Sequence, residues 1–141
     1  MTDYKKVFLD TAPVIYFLDD DVNFGQKVAD IFSSIIDDEK NMVTSVITCE
    51  EYLVFPYQTD NTDKIDAFFE FVADCGIPIK EITKDISIRA AKIRARYKGF
   101  KGMDALQLAA ACELGCDVFL TNDKQLKQFT DIRCVLVDEW L

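Results

Sequence analysis

Val7-Phe8-Leu9-Asp10-Thr11 is the stretch whose reading decides the fold. It is a short apolar run that ends in an acid, with Pro13 close behind. Such a run, bounded by a turn signal, predicts a strand buried on both faces, as in a parallel sheet. Pro13 suits the first turn of the next helix, where a missing N–H has no partner to lose. Asp10 then falls at the carboxyl end of a strand, the edge at which open α/β sheets bind ligands. An Asp in that position also serves as a helix N-cap, and the stretch alone leaves both roles open.

The same alternation continues outward from this strand. Helical periodicity predicts helices over residues 13–18, 24–36, 46–55, 62–73, 85–97 and 103–114. Within 24–36 the apolar positions are Phe24, Val28, Ile31, Phe32 and Ile35, and within 62–73 they are Ile65, Phe68, Phe69 and Val72. Pro56 should end or kink the third helix, and Gly76 and Gly115 should stop two others. Short apolar runs predict further strands at 41–45, 77–79, 117–121 and 134–137, with a short helix over 123–128. The acidic run Asp19-Asp20-Asp21 reads as a solvated loop. Strands alternating with helices imply an α/β fold with a central parallel sheet and helices on both faces. With 141 residues, 50% of them apolar, residues 1–141 are expected to form one domain.

Composition removes several function classes. The net charge is −9, so the total charge gives no general affinity for nucleic acid or anionic membranes. No apolar run approaches the roughly 20 residues of a membrane span. No signal-peptide core precedes the first strand, so a cytoplasmic protein is expected. The five cysteines are scattered, and only Cys112 and Cys116 lie close together, which fits buried free thiols better than a zinc set. Histidine is absent altogether. That excludes Ser-His-Asp and Cys-His triads, metalloprotease helices of the His-Glu-x-x-His type and histidine-based RNA cleavage. Chemistry must run on carboxylates, lysine, cysteine or a metal.

Three further acids join Asp10. Asp104 opens an almost wholly apolar helix, where Asp104 and Gln107 have the spacing of a capping box. A charge there is expensive to bury without a partner or a cation. Asp123 follows a strand, as Asp10 does, and can likewise be a cap. Glu50 and Glu51 are adjacent on a helix and point about 100° apart, so only one should face a common site, and periodicity does not choose between them. Carboxylates gathered at one sheet edge repel unless a divalent cation neutralises them. Oxygen-only ligands select Mg²⁺ or Mn²⁺, and such a site suits phosphodiester hydrolysis.

Four segments together resemble the PIN-domain nucleases. They are Leu9-Asp10-Thr11; Ser45-Val46-Ile47-Thr48 leading to Glu51; Met103-Asp104-Ala105-Leu106 followed by Ala109-Ala110-Ala111; and Thr121-Asn122-Asp123. The resemblance implies a three-layer α/β/α sandwich and a Mg²⁺- or Mn²⁺-dependent endoribonuclease. It selects Glu51 over Glu50. Asp10, Glu51, Asp104 and Asp123 would be the catalytic and metal-binding acids, supported by Thr11, Ser45, Thr121 and Asn122. Ala12 departs from the pattern, since many relatives carry a polar residue there. A stand-alone domain of this size is most similar to the toxin (VapC-like) branch, whose members are neutralised by a small cognate antitoxin and are often homodimers.

An acidic chain needs a local place for RNA. Arg89, Lys92, Arg94, Arg96, Lys98 and Lys101 follow one another without an intervening acid and lead towards Asp104. They read either as a solvated face or as a phosphate track, in which Arg89, Lys92, Arg96 and Lys101 are the candidate RNA contacts. The competing function is a non-catalytic PIN-like module that recruits RNA or protein partners. A haloacid-dehalogenase-type phosphatase would need an Asp at position 12, where Ala12 stands, and a receiver domain an acidic pair nearer the first strand, which argues against both.

Overall fold

The computed structural model describes residues 3–140. Met1 and Thr2, which belong to the leader-free start expected from the sequence, lie outside the described residues. Five strands form one parallel sheet in the order β3-β2-β1-β4-β5. They are β1 (Lys6–Leu9), β2 (Asn41–Ser45), β3 (Ile79–Lys80), β4 (Val118–Thr121) and β5 (Arg133–Leu136). Six α-helices connect or flank them: α1 (Thr11–Leu18), α2 (Gly25–Asp37), α3 (Val46–Gln58), α4 (Thr62–Asp74), α5 (Lys84–Arg96) and α6 (Gly102–Glu113). Single 3₁₀ turns cover Lys124–Gln128 and Val137–Glu139. No helix among the described residues is long and apolar enough to cross a membrane.

Alternation along each strand divides the interior into two cores. Val7, Leu9, Val118 and Leu120 meet Val14, Val28, Phe32, Tyr52 and Phe68 on one face. Phe8, Val43 and Phe119 meet Ile86, Ala90, Ala105 and Leu108 on the other. The result is the α/β/α sandwich that the alternating pattern implied. β1 lies between β2 and β4, so it is hydrogen-bonded on both sides and covered on both faces. Phe8 and Phe119 are paired in register, and their rings stack at 5.4 Å.

The chain departs from its sequence-based reading in a few places. α1 begins at Thr11 rather than Pro13, which puts Pro13 on the third residue of the first turn. Pro56 does not end α3, because it lies in the last turn, where only one helical N–H is forfeited. Its own carbonyl still accepts from Asn61 N–H at 2.8 Å. β3 shrinks to two residues because Pro78 has no N–H to give the ladder. On α4 the inward aromatic positions are Phe68 and Phe71, while Phe69 is exposed. Asp19 is more than solvated loop, since it accepts from the Tyr52 hydroxyl at 3.1 Å and from Lys64 at 3.0 Å. Gly76 and Gly115 follow α4 and α6 with φ of 61° and 72°, the left-handed end that favours glycine. The cysteines are free, Cys134 buried and the other four half-buried, and burial pushes the Cys134 thiol up to about 12.

β1 is the strand most dependent on two-sided burial. Phe8→Ala removes a fully buried ring and its stacking partner, and should cost about 3–5 kcal/mol. Urea denaturation measures this; an unchanged midpoint would contradict the burial described.

Candidate active site

Asp10 stands where β1 ends and α1 begins. Its N–H donates to the Leu120 carbonyl at 3.0 Å, extending the ladder to β4 by one bond. Its carboxylate caps α1, with Oδ1 accepting from Thr11 N–H at 2.9 Å. Oδ2 accepts from the Thr121 hydroxyl at 2.8 Å. Thr121 Oγ1 in turn accepts from Asp123 N–H at 3.1 Å, and Asp123 caps the following 3₁₀ turn through Gln125 N–H. Both acids are therefore caps, and both lie on one edge, where the strand order turns from β1 to β4. Open parallel sheets bind ligands at such a switch point.

Glu51 reaches this edge from α3. Its Oε1 accepts from the Thr11 hydroxyl at 2.6 Å, so Glu51 is the member of the Glu50–Glu51 pair that meets α1. Asp104 is the third residue of α6. The N-cap is Lys101, which makes no side-chain cap bond, so the capping box expected for Asp104 and Gln107 does not form. The helix starts too early for Asp104 to cap it, and Gln107 turns inward instead. Gln107 is fully buried and hydrogen-bonds Ser45 and Thr48.

The charges of these acids act on one another in part. Burial raises the Asp10 carboxyl from 3.8 to about 6; hydrogen bonds from Thr121 and Thr11 oppose this, and the charges of Asp104 and Glu51 add to it. Asp104 is also raised, first by burial and then by the charges of Asp123 and Glu51, with Lys101 acting against them. An oxygen-only donor set with surplus negative charge suits a hard divalent cation. Among the described residues no three acids or cysteines sit close enough to form a ready-made cage. The donors fit a cation held by one or two carboxylates, with water completing its shell.

The supporting residues divide. Thr11 and Thr121 bond directly to the acids. Ser45 is the N-cap of α3, accepting from Ile47 N–H at 3.1 Å and donating to Gln107. Asn122 turns away, donating to the Tyr16 hydroxyl at 3.0 Å. Of the basic candidates, Lys101 adjoins Asp104. Arg89, Lys92 and Arg96 line a separate groove of about 450 Å³ that also contains Asp85, Glu113 and Asp131. Arg89 pairs there with Glu113 at 3.2 Å, nine residues and about 13 Å along α6 from Asp104. A second groove, of about 320 Å³, is lined by Glu51 with Ile15, Tyr52, Phe55 and Pro56.

The sequence reading missed Thr48 and Gln107. A lone uncharged amide in a helix otherwise of Ala and Leu was the available signal, because a buried amide needs partners.

The PIN-domain family model matches residues 7–132. The chain belongs to the PIN-domain family. Solved structures similar to it include VapBC2 from Rickettsia felis, bound to a DNA fragment from its promoter. That match has a TM-score of 0.76 at 11% identity, covering 93% of this chain and 98% of that one. VapBC-1 from nontypeable Haemophilus influenzae has a TM-score of 0.74 at 19% identity, covering 94% and 98%. Mycobacterium tuberculosis VapC20, described as a toxin that cleaves the sarcin–ricin loop, has a TM-score of 0.68 at 15% identity, covering 90% and 98%. At these identities the likeness is one of fold. No curated protein sequence matches the chain.

The raised Asp10 carboxyl has a signed consequence. The folded state holds a proton that the unfolded chain releases, so stability falls as pH rises from about 4 to 6. Asp10→Asn keeps an acceptor for the cap and removes the charge. Without divalent metal at neutral pH it should be more stable than wild type by about 1–2 kcal/mol, and lack this slope. Thermal melts across pH test it; a less stable Asn variant contradicts the charge argument.

Proposed function

We propose that this PIN domain, spanning residues 1–141 as one unit, is a Mg²⁺- or Mn²⁺-dependent endoribonuclease and the toxin of a toxin–antitoxin pair, acting in the cytoplasm. The observation that supports the reading is that Asp10 caps α1 at the sheet's switch point while Glu51 bonds the adjacent Thr11 and the charges of Glu51 and Asp104 act on Asp10. One or two of Asp10, Glu51, Asp104 and Asp123 would hold the cation directly, and the others would act through its water shell. When bound, the cation would activate a water and balance charge on the phosphate oxygens. Thr11 and Thr121 orient the Glu51 and Asp10 carboxylates by donating a hydrogen bond to each. Ser45 fixes the start of α3, the helix that carries Glu51, and Asn122 steadies the loop before Asp123 through Tyr16. Lys101 beside Asp104 offers a positive charge to the RNA backbone. Arg96, Lys92 and Arg89 would extend the contact along the adjoining groove.

The partner is proposed from the neighbours, two of which are VapBC assemblies. A small antitoxin would cover the groove beside Glu51, where Phe55 is 66% exposed. The cleaving activity described for the M. tuberculosis protein supports RNA as the substrate class. A homodimer is proposed on the family resemblance alone.

Purified protein should cleave RNA only when Mg²⁺ or Mn²⁺ is added. Metal at about 100 times its dissociation constant should also stabilise the fold by about 2.7 kcal/mol, and less in Asp10→Asn. Glu51→Gln should abolish cleavage, while Glu50→Gln stays near wild type. Metal-independent cleavage, or the reverse order of the two Glu variants, overturns the assignment. Replacing Lys92 and Arg96 together by Ala should weaken RNA binding and flatten its salt dependence, with metal binding unchanged. Equal binding by filter assay at every salt concentration would remove the groove from the substrate path.

A further inference from the structure

Beneath Glu51 lies an unbroken chain of buried polar groups on three helices and a strand end. Ser45 Oγ is 2.5 Å from Gln107 Oε1, Gln107 Nε2 is 2.8 Å from Thr48 Oγ1, Thr48 Oγ1 is 3.2 Å from Thr11 Oγ1, and Thr11 Oγ1 is 2.6 Å from Glu51 Oε1. Ser45, Thr48 and Gln107 are each no more than 1% exposed. No solvent competes for their bonds.

Counting protons fixes the direction of the chain. A threonine hydroxyl has one hydrogen to give. Thr11 gives its hydrogen to the Glu51 carboxylate, which can only accept, so in the Thr48–Thr11 contact Thr48 is the donor. Thr48 can then only accept from Gln107, which requires the amide nitrogen to face it. The amide oxygen consequently faces Ser45, whose Oγ accepts from Ile47 N–H and must send its own hydrogen to Gln107. Flipping the amide would take the Thr48 hydrogen for Gln107 and leave the Thr48–Thr11 contact without a proton. Every donor in the chain thus points towards Glu51.

We infer that Gln107 and Thr48 are positioning residues, which orient the Thr11 hydroxyl so that the Glu51 carboxylate is held towards the site. The inference rests on the nuclease reading for its effect on rate, and on the hydrogen bonds alone for its effect on Thr11. Neither residue touches the reacting atoms. Gln107 acts across the boundary between α6 and α3, so the helix that bears Asp104 also sets the side chain of Glu51.

The test uses Thr48→Val, which keeps the shape and removes the hydroxyl, and Thr48→Ser, which restores it. Gln107→Met serves as a second disruption should Thr48→Val fail to fold. Two readouts are taken: RNA cleavage with Mn²⁺, and the slowly exchanging Thr11 hydroxyl proton in NMR spectra of the metal-free protein. Thr48→Val and Gln107→Met should each lower kcat about 10- to 100-fold with KM for RNA little changed, and Thr48→Ser should recover most of it. The Thr11 hydroxyl signal should be lost in Thr48→Val and Gln107→Met and return in Thr48→Ser. A folded Thr48→Val or Gln107→Met with wild-type kcat, or with the Thr11 signal intact, overturns the inference. If the wild type cleaves no RNA while the NMR signals follow this order, the nuclease reading fails and the positioning of Thr11 stands.

Discussion

A parallel sheet covered by helices on both faces leaves polar chemistry only the strand ends, and the whole structure follows from that constraint. β1 is the extreme case, with neighbours on either side and an apolar layer above and below. Lys6 opens the strand, and after it the next charge comes only at Asp10, between the strand and the helix. Even there burial lifts its carboxyl to about 6. The Thr11 N–H and the Thr121 hydroxyl offset part of that desolvation. Among the described residues the buried polar side chains are Thr11, Thr44, Ser45, Thr48, Gln107 and Thr121. All six lie at or just beyond the carboxyl ends of strands or on the helices that face that edge. The two cores are otherwise apolar, so the polar groups are concentrated where the acids meet.

Capping and ligand chemistry are often weighed as alternatives for an acid at a strand end. Here Asp10 and Asp123 are caps, and the proposed metal site would draw on the same two carboxylates. A cap takes one carboxylate oxygen, and in Asp10 the second oxygen is oriented by Thr121, a residue of the neighbouring strand. The cap therefore fixes the rotamer that the site uses. Asp104 differs, because Lys101 occupies the cap position and makes no side-chain bond. With no structural duty in the backbone to offset its burial, Asp104 is the acid whose charge is least explained by folding alone.

Much of this was legible in the chain. The run from Val7 into Asp10 gave the central strand, because an apolar segment that ends in an acid and a proline has few other structural solutions. The order of strands and helices gave the layers. What could not be read was pairing across distance. Glu50 and Glu51 have equivalent apolar neighbours along α3, and only the contact with Thr11, 40 residues away, separates them. The capping-box spacing of Asp104 and Gln107, weighed against a site role, goes unused because the helix begins at Gly102, which moves Asp104 inside the first turn. Gln107 then falls on the buried face with Leu108 and Ala111, where its amide meets Ser45 and Thr48, residues that local periodicity does not connect to it.

Net charge poses a different problem for the nuclease reading, on which a protein of charge −9 approaches a polyanion. Screening confines exposed charges to a range of about 10 Å at ordinary salt, so local arrangement outweighs the total. The groove of Arg89, Lys92 and Arg96 carries Asp85, Glu113 and Asp131 as well, and Arg89 is engaged by Glu113. Its net pull on phosphate is correspondingly weak. Lys101 opposes the burial of the Asp104 charge, so its field acts on the acid that α6 carries. On the nuclease reading, then, the strongest attraction for the scissile phosphate comes from the acid cluster once a divalent cation reverses its sign, with the lysines and arginines guiding the flanking chain. The same carboxylates that weaken the empty fold by repulsion supply the charge that a cation needs. On that reading, affinity for substrate is conditional on the metal.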